Sequence, residues 1–244
     1  MSENKGNPNV LVISAHALDF VWRCGGTIAK YSNAGSNVRI INLTLGERGE
    51  SGDLWNGIEN ATEEQVKEIR TDEANKASEI LGAELKIMDM GDHPLITDKE
   101  NIIDLVKELR EFQPEIILTH FTGDPLNPDH PEAAKLFYKA LRAAQVPGVE
   151  PDTKILGPVK TFMFEPDQPE FCGFNPDAFI DITDVMEIKE KAMTVSESQK
   201  YMFDNYSRRA AYRGYIASRV SGNKEIKNAE AFKRFAPYTG QFFS

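Results

Sequence analysis

The feature that most constrains this chain is a short apolar segment of mainly β-branched residues, Val10–Ser14, followed by a helical stretch and a second apolar segment. Such a run is typical of a parallel strand that is buried on both faces. Gly25 and Gly26 open the predicted helix, which continues to about Asn33, and Val38–Leu45 is the second predicted strand. These segments predict a β-α-β unit and therefore a parallel sheet.

Strand and helix patterns alternate along the rest of the chain. Thr62 and Gln65 have the spacing of a capping box, and the helix that they open is predicted to end at Leu81, before Gly82. The other predicted elements are strands at Leu85–Met88, Glu115–Thr119 and Val159–Phe164, a helix capped by Thr97 or Asp98 and ended by Pro114, and helices at Pro131–Ala144, Asp184–Phe203 and Tyr206–Ser218. The patterns predict one α/β domain over residues 1–244, with three layers and a Rossmann-like, mostly parallel sheet between helices.

Composition and charge exclude several classes of protein. The longest apolar runs, such as Val10–Ile13 and Ile116–Leu118, are far shorter than the roughly 20 residues that a membrane span needs. The net charge of −10 disfavours nucleic acid and anionic membranes as partners, but it permits an anionic substrate in a locally basic pocket. The polar segment 1–9 lacks the features of a secretory signal, so we expect a cytoplasmic protein. The sequence leaves the oligomeric state open, and a homo-oligomer is one of the options.

Two of the four histidines follow strands that a doubly wound sheet would place side by side. His16 and Asp19 form an H-x-x-D pattern after the first strand, and His130 ends the segment Asn127–His130 after the fourth. Open α/β sheets bind ligands at this switch point. Two imidazoles, one carboxylate and an open position are typical of a catalytic zinc site. The alternative is an accidental spacing in which His16 only ends a strand.

Several segments resemble the PIG-L/LmbE family of zinc-dependent N-deacetylases, which act on sugar amides. Residues 14–29, SAHALDFVWRCGGTIA, are similar to the opening family signature A-H-P-D-D-x-x-x-G-x-G-G-T. Further segments agree in order and spacing: Ile69–Ala74, Leu81–Ala83, Asn127–His130 and Ala229–Phe232. The resemblance implies that His16, Asp19 and His130 hold one divalent ion, Zn²⁺. Iron, cobalt and manganese would also suit such ligands.

The chain departs from the deacetylase signature at the position of the general base. Leu18 stands where the family has the first aspartate of its pair, Ala17 replaces the proline, and Asn127 stands where a histidine is usual. Leucine cannot accept a proton, and loss of a positioned base typically costs about 10² to 10⁴ in rate. The departure therefore points either to an inactive, binding-only member or to a changed reaction.

The combination A-H-A-x-D-F-V-W-R-x-G-G with a later G-E-R-G-E-S resembles the branch of this superfamily that contains 4-oxalomesaconate hydratase. That enzyme adds water to the carbon–carbon double bond of a keto tricarboxylate in the degradation of gallate and protocatechuate. The resemblance implies a metal-dependent hydro-lyase acting on a small keto polycarboxylate. The alternative is a zinc N-deacetylase of an N-acetylglucosamine-type conjugate with a substitute base.

Hydration of such an acid requires cationic groups for the carboxylates and a proton donor and acceptor. Residues 46–61, with four glycines and no helical periodicity, are predicted to form a long loop beside the site. Candidates for substrate binding are Arg48 and Arg70, then Arg23 and Asn127, with Arg208, Arg209 and Arg213 as further choices. Candidates for proton transfer are His120, Asp129, Glu47 and His93. For His120 an orienting role is equally open, for Asp129 a role in fixing a histidine tautomer or its loop, and for His93 a surface position.

Overall fold

The computed structural model describes residues 7–237 and 239, and seven strands in this part of the chain form one sheet. The strands are β1 (Val10–Ser14), β2 (Val38–Asn42), β3 (Glu84–Ile87), β4 (Ile116–Thr119), β5 (Lys160–Phe164), β6 (Ala178–Asp181) and β7 (Ala229–Arg234). The helices are α1 (Asp19–Asn33), α2 (Gly52–Gly57), α3 (Glu63–Leu81), α4 (Lys99–Phe112), α5 (Asp129–Ala144), α6 (Pro169–Cys172), α7 (Met186–Met193) and α8 (Met202–Ser221). A 3₁₀ turn at Thr183–Val185 precedes α7.

The strand order is β3-β2-β1-β4-β5-β7-β6. The first five strands in this order are parallel, whereas β7 is antiparallel to both β5 and β6. Because β1 lies between β2 and β4, the residues that follow these strands meet at one edge of the sheet. The predicted switch point and the predicted three-layer α/β fold are confirmed.

Helices cover both faces of the sheet, and β1 alternates between the two resulting cores. Val10 and Val12 pack with α1, α3 and α7. Leu11 and Ile13 pack with α4 and α5 on the other face. A central parallel strand buries both faces in this way, which explains the continuous apolar sequence of β1. Within the described residues, no helix has both the length and the apolar character that crossing a membrane requires.

The predicted signals at helix ends are confirmed where side chains cap the backbone. The Thr62 hydroxyl accepts a bond from the Gln65 amide, and the Gln65 side chain accepts one from the Thr62 amide. Gly82 ends α3 with a φ of 72°, in the left-handed region that glycine tolerates. Asp98, rather than Thr97, caps α4.

The predicted start of the first helix at Gly25 is wrong, because α1 begins at Asp19 and is kinked at Cys24. The carboxylate of Glu230 accepts bonds from the Gly26 and Thr27 amides, so a distant side chain caps the second half of the helix. A Cβ atom on Gly26 would lie 2.7 Å from Ile182, so glycine is needed there for close packing. Both contacts are long-range and leave no local sequence pattern.

Further elements differ from the sequence prediction. β6 and β7 were not predicted, because their short segments at the antiparallel edge mix charged with apolar residues. The C-terminal helices separate over residues 194–201 rather than near 204, and a short helix, α2, lies within the predicted loop 46–61. The domain bounds 1–244 stay a prediction.

Candidate metal centre and cleft

The three predicted metal ligands converge at the sheet edge. His16 follows β1, Asp19 begins α1, and His130 lies in the first turn of α5; all three are buried. Asp19 Oδ2 lies 3.1 Å from His16 Nδ1 and 3.4 Å from His130 Nε2. The fold therefore brings together two imidazole nitrogens and one carboxylate oxygen that are far apart in sequence.

A fourth potential ligand, Glu50, comes from the loop after β2. Glu50 Oε1 lies 3.2 Å from His16 Nδ1 and 3.5 Å from His130 Nε2. The Asn127 side-chain amide donates a 2.8 Å hydrogen bond to the same oxygen. Glu50 and Asn127 therefore form the side of the cluster that opens to the cleft described below.

The arrangement of these four atoms fits a divalent ion. Zinc bonds to nitrogen and oxygen ligands are about 2.0–2.2 Å long, and a tetrahedron with such bonds has edges of about 3.3–3.6 Å. The four measured separations, 3.1 to 3.5 Å, are close to these edges. His130 Nε2 is also buried without a hydrogen-bond partner, as an imidazole nitrogen that binds a metal would be.

Neighbouring side chains orient each ligand. Arg23 Nε donates a 3.0 Å bond to Asp19 Oδ1, which leaves Asp19 Oδ2 directed at the cluster. Asp124 Oδ2 lies 2.9 Å from His130 Nδ1, so His130 presents Nε2 to the cluster. A carboxylate behind a metal-binding histidine is the usual arrangement in zinc sites.

Nearby carboxylates determine the protonation of His16 and His130. Burial disfavours the charged form of His130, but Asp19 and Asp124 outweigh it and raise the pKa of His130 to about 9. Burial likewise opposes protonation of His16, and Glu50 with nearby aspartates raises the pKa of His16 well above its usual value. Without a metal ion, protons on these two histidines balance the surrounding carboxylates.

A cleft of about 250 Å³ opens on the Glu50 side of the cluster. Arg23 is the only arginine or lysine among the described residues that line it. The other lining residues are Asp19, Trp22, Gly49, Glu50, Asp124, Leu126, Asn127, His130, Asp167, Gln168, Gln199, Tyr201 and Met202. A small anion can therefore meet a guanidinium, side-chain amides and the metal-binding cluster in one cavity.

The two arginines preferred from the sequence do not line this cleft. The Arg48 side chain is 55% exposed and pairs with Glu63 at 3.1 Å. Arg70 is fully buried, where it donates to the Leu45 carbonyl and pairs with Glu73. Arg48 thus lies on the outer side of its loop, and Arg70 supports the base of that loop.

Two arginines of α8, Arg209 and Arg213, were further candidates for substrate binding, but they contact the segment 165–167 that forms part of the cleft wall. Arg213 pairs with the Glu165 carboxylate, and Arg209 donates to the carbonyls of Pro166 and Asp167. This segment follows β5 and carries Asp167 into the cleft. Arg208 is exposed on α8 and does not line the cleft.

The four candidates for proton transfer lie around the cluster but not in the described cleft lining. His120 Nε2 accepts a 2.8 Å bond from the Ala15 amide, and burial with the adjacent His130 holds the pKa of His120 well below its usual value. Asp129 accepts bonds from the His93 and Leu95 amides. These contacts favour the orienting role for His120 and the loop-fixing role for Asp129.

The other two candidates lie outside the cluster of four ligand atoms. The His93 side chain is 53% exposed, which agrees with the surface position left open from the sequence. Glu47 is buried, with Lys67 3.4 Å from its carboxylate. Neither side chain is among the residues that line the cleft.

Sequence reasoning missed three carboxylates of the site: Glu50, Asp92 and Asp124. Glu50 lies on the predicted loop 46–61, and nothing local distinguishes it from Glu47. Asp124 has a weak signal, an acid between a strand end and a metal-ligand histidine. Asp92 directly precedes His93, which the sequence analysis names as a candidate for proton transfer.

Comparison with known proteins connects this geometry to two kinds of enzyme. The family described as GlcNAc-PI de-N-acetylase (PIG-L) matches residues 11–141. A 4-oxalmesaconate hydratase from Pseudomonas putida is 42% identical over 225 residues, covering 92% of this chain and 87% of the hydratase. A diacetylchitobiose deacetylase from Thermococcus kodakarensis is 32% identical over 197 residues, covering 78% of this chain and 69% of the deacetylase.

The solved structures that are similar to this chain also include a hydratase and a deacetylase. The crystal structure of GalB, the 4-carboxy-2-hydroxymuconate hydratase from Pseudomonas putida KT2440, aligns with a TM-score of 0.94 at 40% identity, covering 97% of this chain and all of GalB. The N,N'-diacetylchitobiose deacetylase from Pyrococcus horikoshii aligns with a TM-score of 0.76 at 24% identity, covering 97% and 89% of the two chains. The latter likeness concerns the fold alone, so the chemistry must be argued from the site.

Proposed function

The chain belongs to the PIG-L family, and we propose that its reaction is the metal-dependent addition of water to a carbon–carbon double bond of an unsaturated keto polycarboxylate such as 4-oxalomesaconate. The main support for this proposal is that the carboxylate at the position of the deacetylase base is absent and another carboxylate lies at the site. Leu18, at the position of the deacetylase base, is packed in the hydrophobic core, whereas the Glu50 carboxylate faces the metal-binding cluster. The extensive identity to a hydratase supports the same reaction.

We propose Zn²⁺ as the ion, held by His16, Asp19 and His130. The nitrogen and oxygen donors and their near-tetrahedral spacing suit zinc. A bound divalent ion would supply Lewis-acid polarisation of the substrate's oxygen atoms. Asp19 is held by Arg23 and His130 by Asp124, so the protein fixes these ligands before the ion binds.

Glu50 is the proposed proton acceptor and donor. Hydration adds a hydroxyl group to one carbon of the double bond and a proton to the other, and both come from one water molecule. A carboxylate that takes the proton from water and returns it to carbon completes the reaction without another reactant. Glu50 is suited to this task, because it borders the cleft beside the three proposed ligands and Asn127 holds its Oε1 atom in place. In this proposal water or substrate, rather than Glu50, would complete the coordination of the ion.

Arg23 is the proposed carboxylate-binding residue. Its Nε atom is bonded to Asp19 and its Nη1 atom to the Glu165 carbonyl, so the guanidinium is fixed in orientation. Guanidinium groups bind carboxylates through paired hydrogen bonds. The amides of Asn127, Gln168 and Gln199 offer further donors in the cleft. We therefore assign to Arg23 the role that the sequence favoured for Arg48 and Arg70.

The alternative function is N-deacetylation of an amino-sugar conjugate, favoured by the 32% identity to a deacetylase over most of this chain. It would require Glu50 to replace the base that is lost at Leu18. The two activities are separated by assaying zinc-loaded protein with 4-oxalomesaconate, by loss of enone absorbance, and with N-acetylglucosamine conjugates, by release of acetate. Hydration with negligible acetate release is expected, and the reverse result would establish the deacetylase.

A role in the degradation of aromatic acids, a cytoplasmic location and a homo-oligomeric state are further parts of this proposal. The first is supported by the hydratase relatives. The cytoplasmic location stays a prediction from the polar segment 1–9, and the homo-oligomeric state stays an untested prediction.

A further inference from the structure

A buried carboxylate, Asp92, contacts two parts of the proposed metal centre at once. Its Oδ1 atom lies 3.4 Å from His16 Nε2 and accepts a 3.2 Å bond from the Thr44 hydroxyl. Its Oδ2 atom accepts bonds of 2.7 and 3.0 Å from the amides of Arg48 and Gly49. Asp92 is therefore placed between a metal-ligand histidine and the loop that carries Glu50.

The surroundings of His16 Nε2 determine where the imidazole proton lies. Asp92 Oδ1 at 3.4 Å and Asp129 Oδ2 at 3.7 Å are the carboxylate oxygens near this buried nitrogen. A lone pair on Nε2 would face two anionic oxygens and be repelled, whereas an N–H group is attracted to both. Nδ1 lies 3.1 and 3.2 Å from Asp19 Oδ2 and Glu50 Oε1, the oxygens beside which an ion would bind. When Nδ1 gives its lone pair to an ion, the imidazole proton must lie on Nε2, where Asp92 and Asp129 attract it.

The two backbone amides that donate hydrogen bonds to Asp92 control how closely Glu50 approaches the metal-binding cluster. They belong to the residues directly before Glu50, and the loop is packed closely against His16. A Cβ atom on Gly46, where φ is +71°, would lie 3.0 Å from His16 Cβ and 3.3 Å from Glu50 Cβ. Because the loop has so little space, the position of these amides fixes how far the Glu50 carboxylate reaches towards the cluster.

We propose that Asp92 is a positioning residue that sets both the tautomer of His16 and the distance of Glu50 from the metal centre. The inference rests on the proposed metal site but not on the identity of the substrate. It assigns one carboxylate two separable tasks: Oδ1 acts through His16 on metal affinity, and Oδ2 acts through the loop on Glu50.

Asp92, Asp129 and His16 Nε2 could instead form a second cation site, since their ligand atoms lie close together. Their existing bonds argue against this. Asp92 already accepts three hydrogen bonds, and Asp129 accepts two from the amides of His93 and Leu95. A carboxylate offers about four acceptor positions, so these bonds leave about one on Asp92 and two on Asp129. A proton on His16 Nε2 would compete with an ion for these positions.

The substitution Asp92→Asn tests the proposal because an amide of the same shape cannot perform both tasks. If its NH₂ group faces His16, it repels the Nε2 proton and favours the tautomer that cannot bind metal through Nδ1. If the NH₂ group faces the loop, the amides of Arg48 and Gly49 lose their acceptor. The control is Asp89→Asn, because Asp89 is an exposed neighbour that pairs with Lys67 at 3.0 Å.

Zinc affinity is measured by competition with a chelator, and loop order by hydrogen exchange at the amides of residues 48 and 49. For Asp92→Asn we expect roughly 10- to 100-fold weaker zinc binding, faster exchange, or both, according to the amide orientation. Asp89→Asn should change neither. Unchanged affinity together with unchanged exchange in Asp92→Asn would overturn the proposal. Two zinc equivalents in the wild type, with only one lost in Asp92→Asn, would establish the second cation site instead.

Two further results keep the test decisive. If Asp92→Asn does not fold, Thr44→Val takes its place in the test. This variant removes the hydrogen bond from the Thr44 hydroxyl to Asp92 and the bond that the Gly46 amide donates to Thr44. Faster exchange in the loop supports the proposal, and unchanged exchange contradicts it. If the wild type binds zinc but hydrates no keto acid, the proposed function fails, while the affinity and exchange results still decide the role of Asp92.

Discussion

Arg23 Nε lies 3.0 Å from Asp19 Oδ1, while the second oxygen of the same carboxylate faces the imidazoles of His16 and His130. One aspartate thus joins the cation of the cleft to the metal-binding cluster. In the proposed reaction, a substrate carboxylate bound by Arg23 would lie next to the metal-binding cluster, so this pair would couple binding of the substrate to its activation.

Replacing Arg23 with Ala should lower kcat/KM by roughly 10- to 150-fold, because a hydrogen bond to a charged group contributes about 1.5–3 kcal/mol. Lys should restore only part of the activity, since it lacks the planar fork. The matched control is Arg48→Ala, whose exposed side chain pairs with Glu63. Steady-state kinetics with the keto acid provide the measurement. Loss of activity in Arg48→Ala but not in Arg23→Ala would return the carboxylate-binding role to the loop.

Replacing Glu50 with Gln should reduce kcat by about 10² to 10⁴, because the isosteric amide cannot accept the proton from water. Glu47→Gln, on the same loop but directed towards Lys67, should retain most activity. Metal analysis of both variants separates loss of proton transfer from loss of the ion. If Glu47→Gln is the inactive variant, the acid and base roles belong to Glu47.

Removal of a ligand should remove the metal. We expect about one equivalent of Zn²⁺ in the purified protein, and its loss in His16→Ala and in His130→Ala, measured by elemental analysis. Replacing the exposed His93 with Ala should leave the metal content unchanged. Full activity in metal-free protein would disprove the metal mechanism.

Zinc affinity should fall as the pH is lowered, because the ligands bind metal only when deprotonated. In the metal-free protein the pKa of His130 is raised to about 9 and that of His16 is raised as well. Protons therefore compete with zinc below those values, and the apparent affinity should rise with pH up to about 9. Chelator competition over this range checks the direction, and a constant affinity would contradict it.

A structural prediction concerns Glu230, which accepts bonds from the Gly26 and Thr27 amides and from Lys189. Glu230→Ala leaves Lys189 buried without its counter-ion, so the free energy of unfolding should fall by about 3–5 kcal/mol. Adding Lys189→Met should recover part of this loss. Urea unfolding measures both variants. A loss below about 1 kcal/mol would mean that the buried pair contributes little to stability.

Local patterns predicted the elements whose signals are contained in a few neighbouring residues. Val10–Ser14 is a strand because a continuous β-branched run suits burial on both faces, and Thr62 with Gln65 starts a helix through bonds within one turn. β7 was missed because Glu230 is buried by partners far along the chain, an interaction that no local pattern records.

The sequence by itself determined the parallel α/β fold, since apolar periodicity follows from residue type and spacing. It predicted the ligands His16, Asp19 and His130 through the H-x-x-D spacing together with the resemblance to the PIG-L family. Only the tertiary structure decided which charged side chains enter the site. Arg48 and Glu50 share one loop, yet Asp92 holds that loop so that Glu50 faces the cluster and Arg48 faces solvent. Side-chain direction in a loop depends on such long-range hydrogen bonds, and they exist only once the chain has folded.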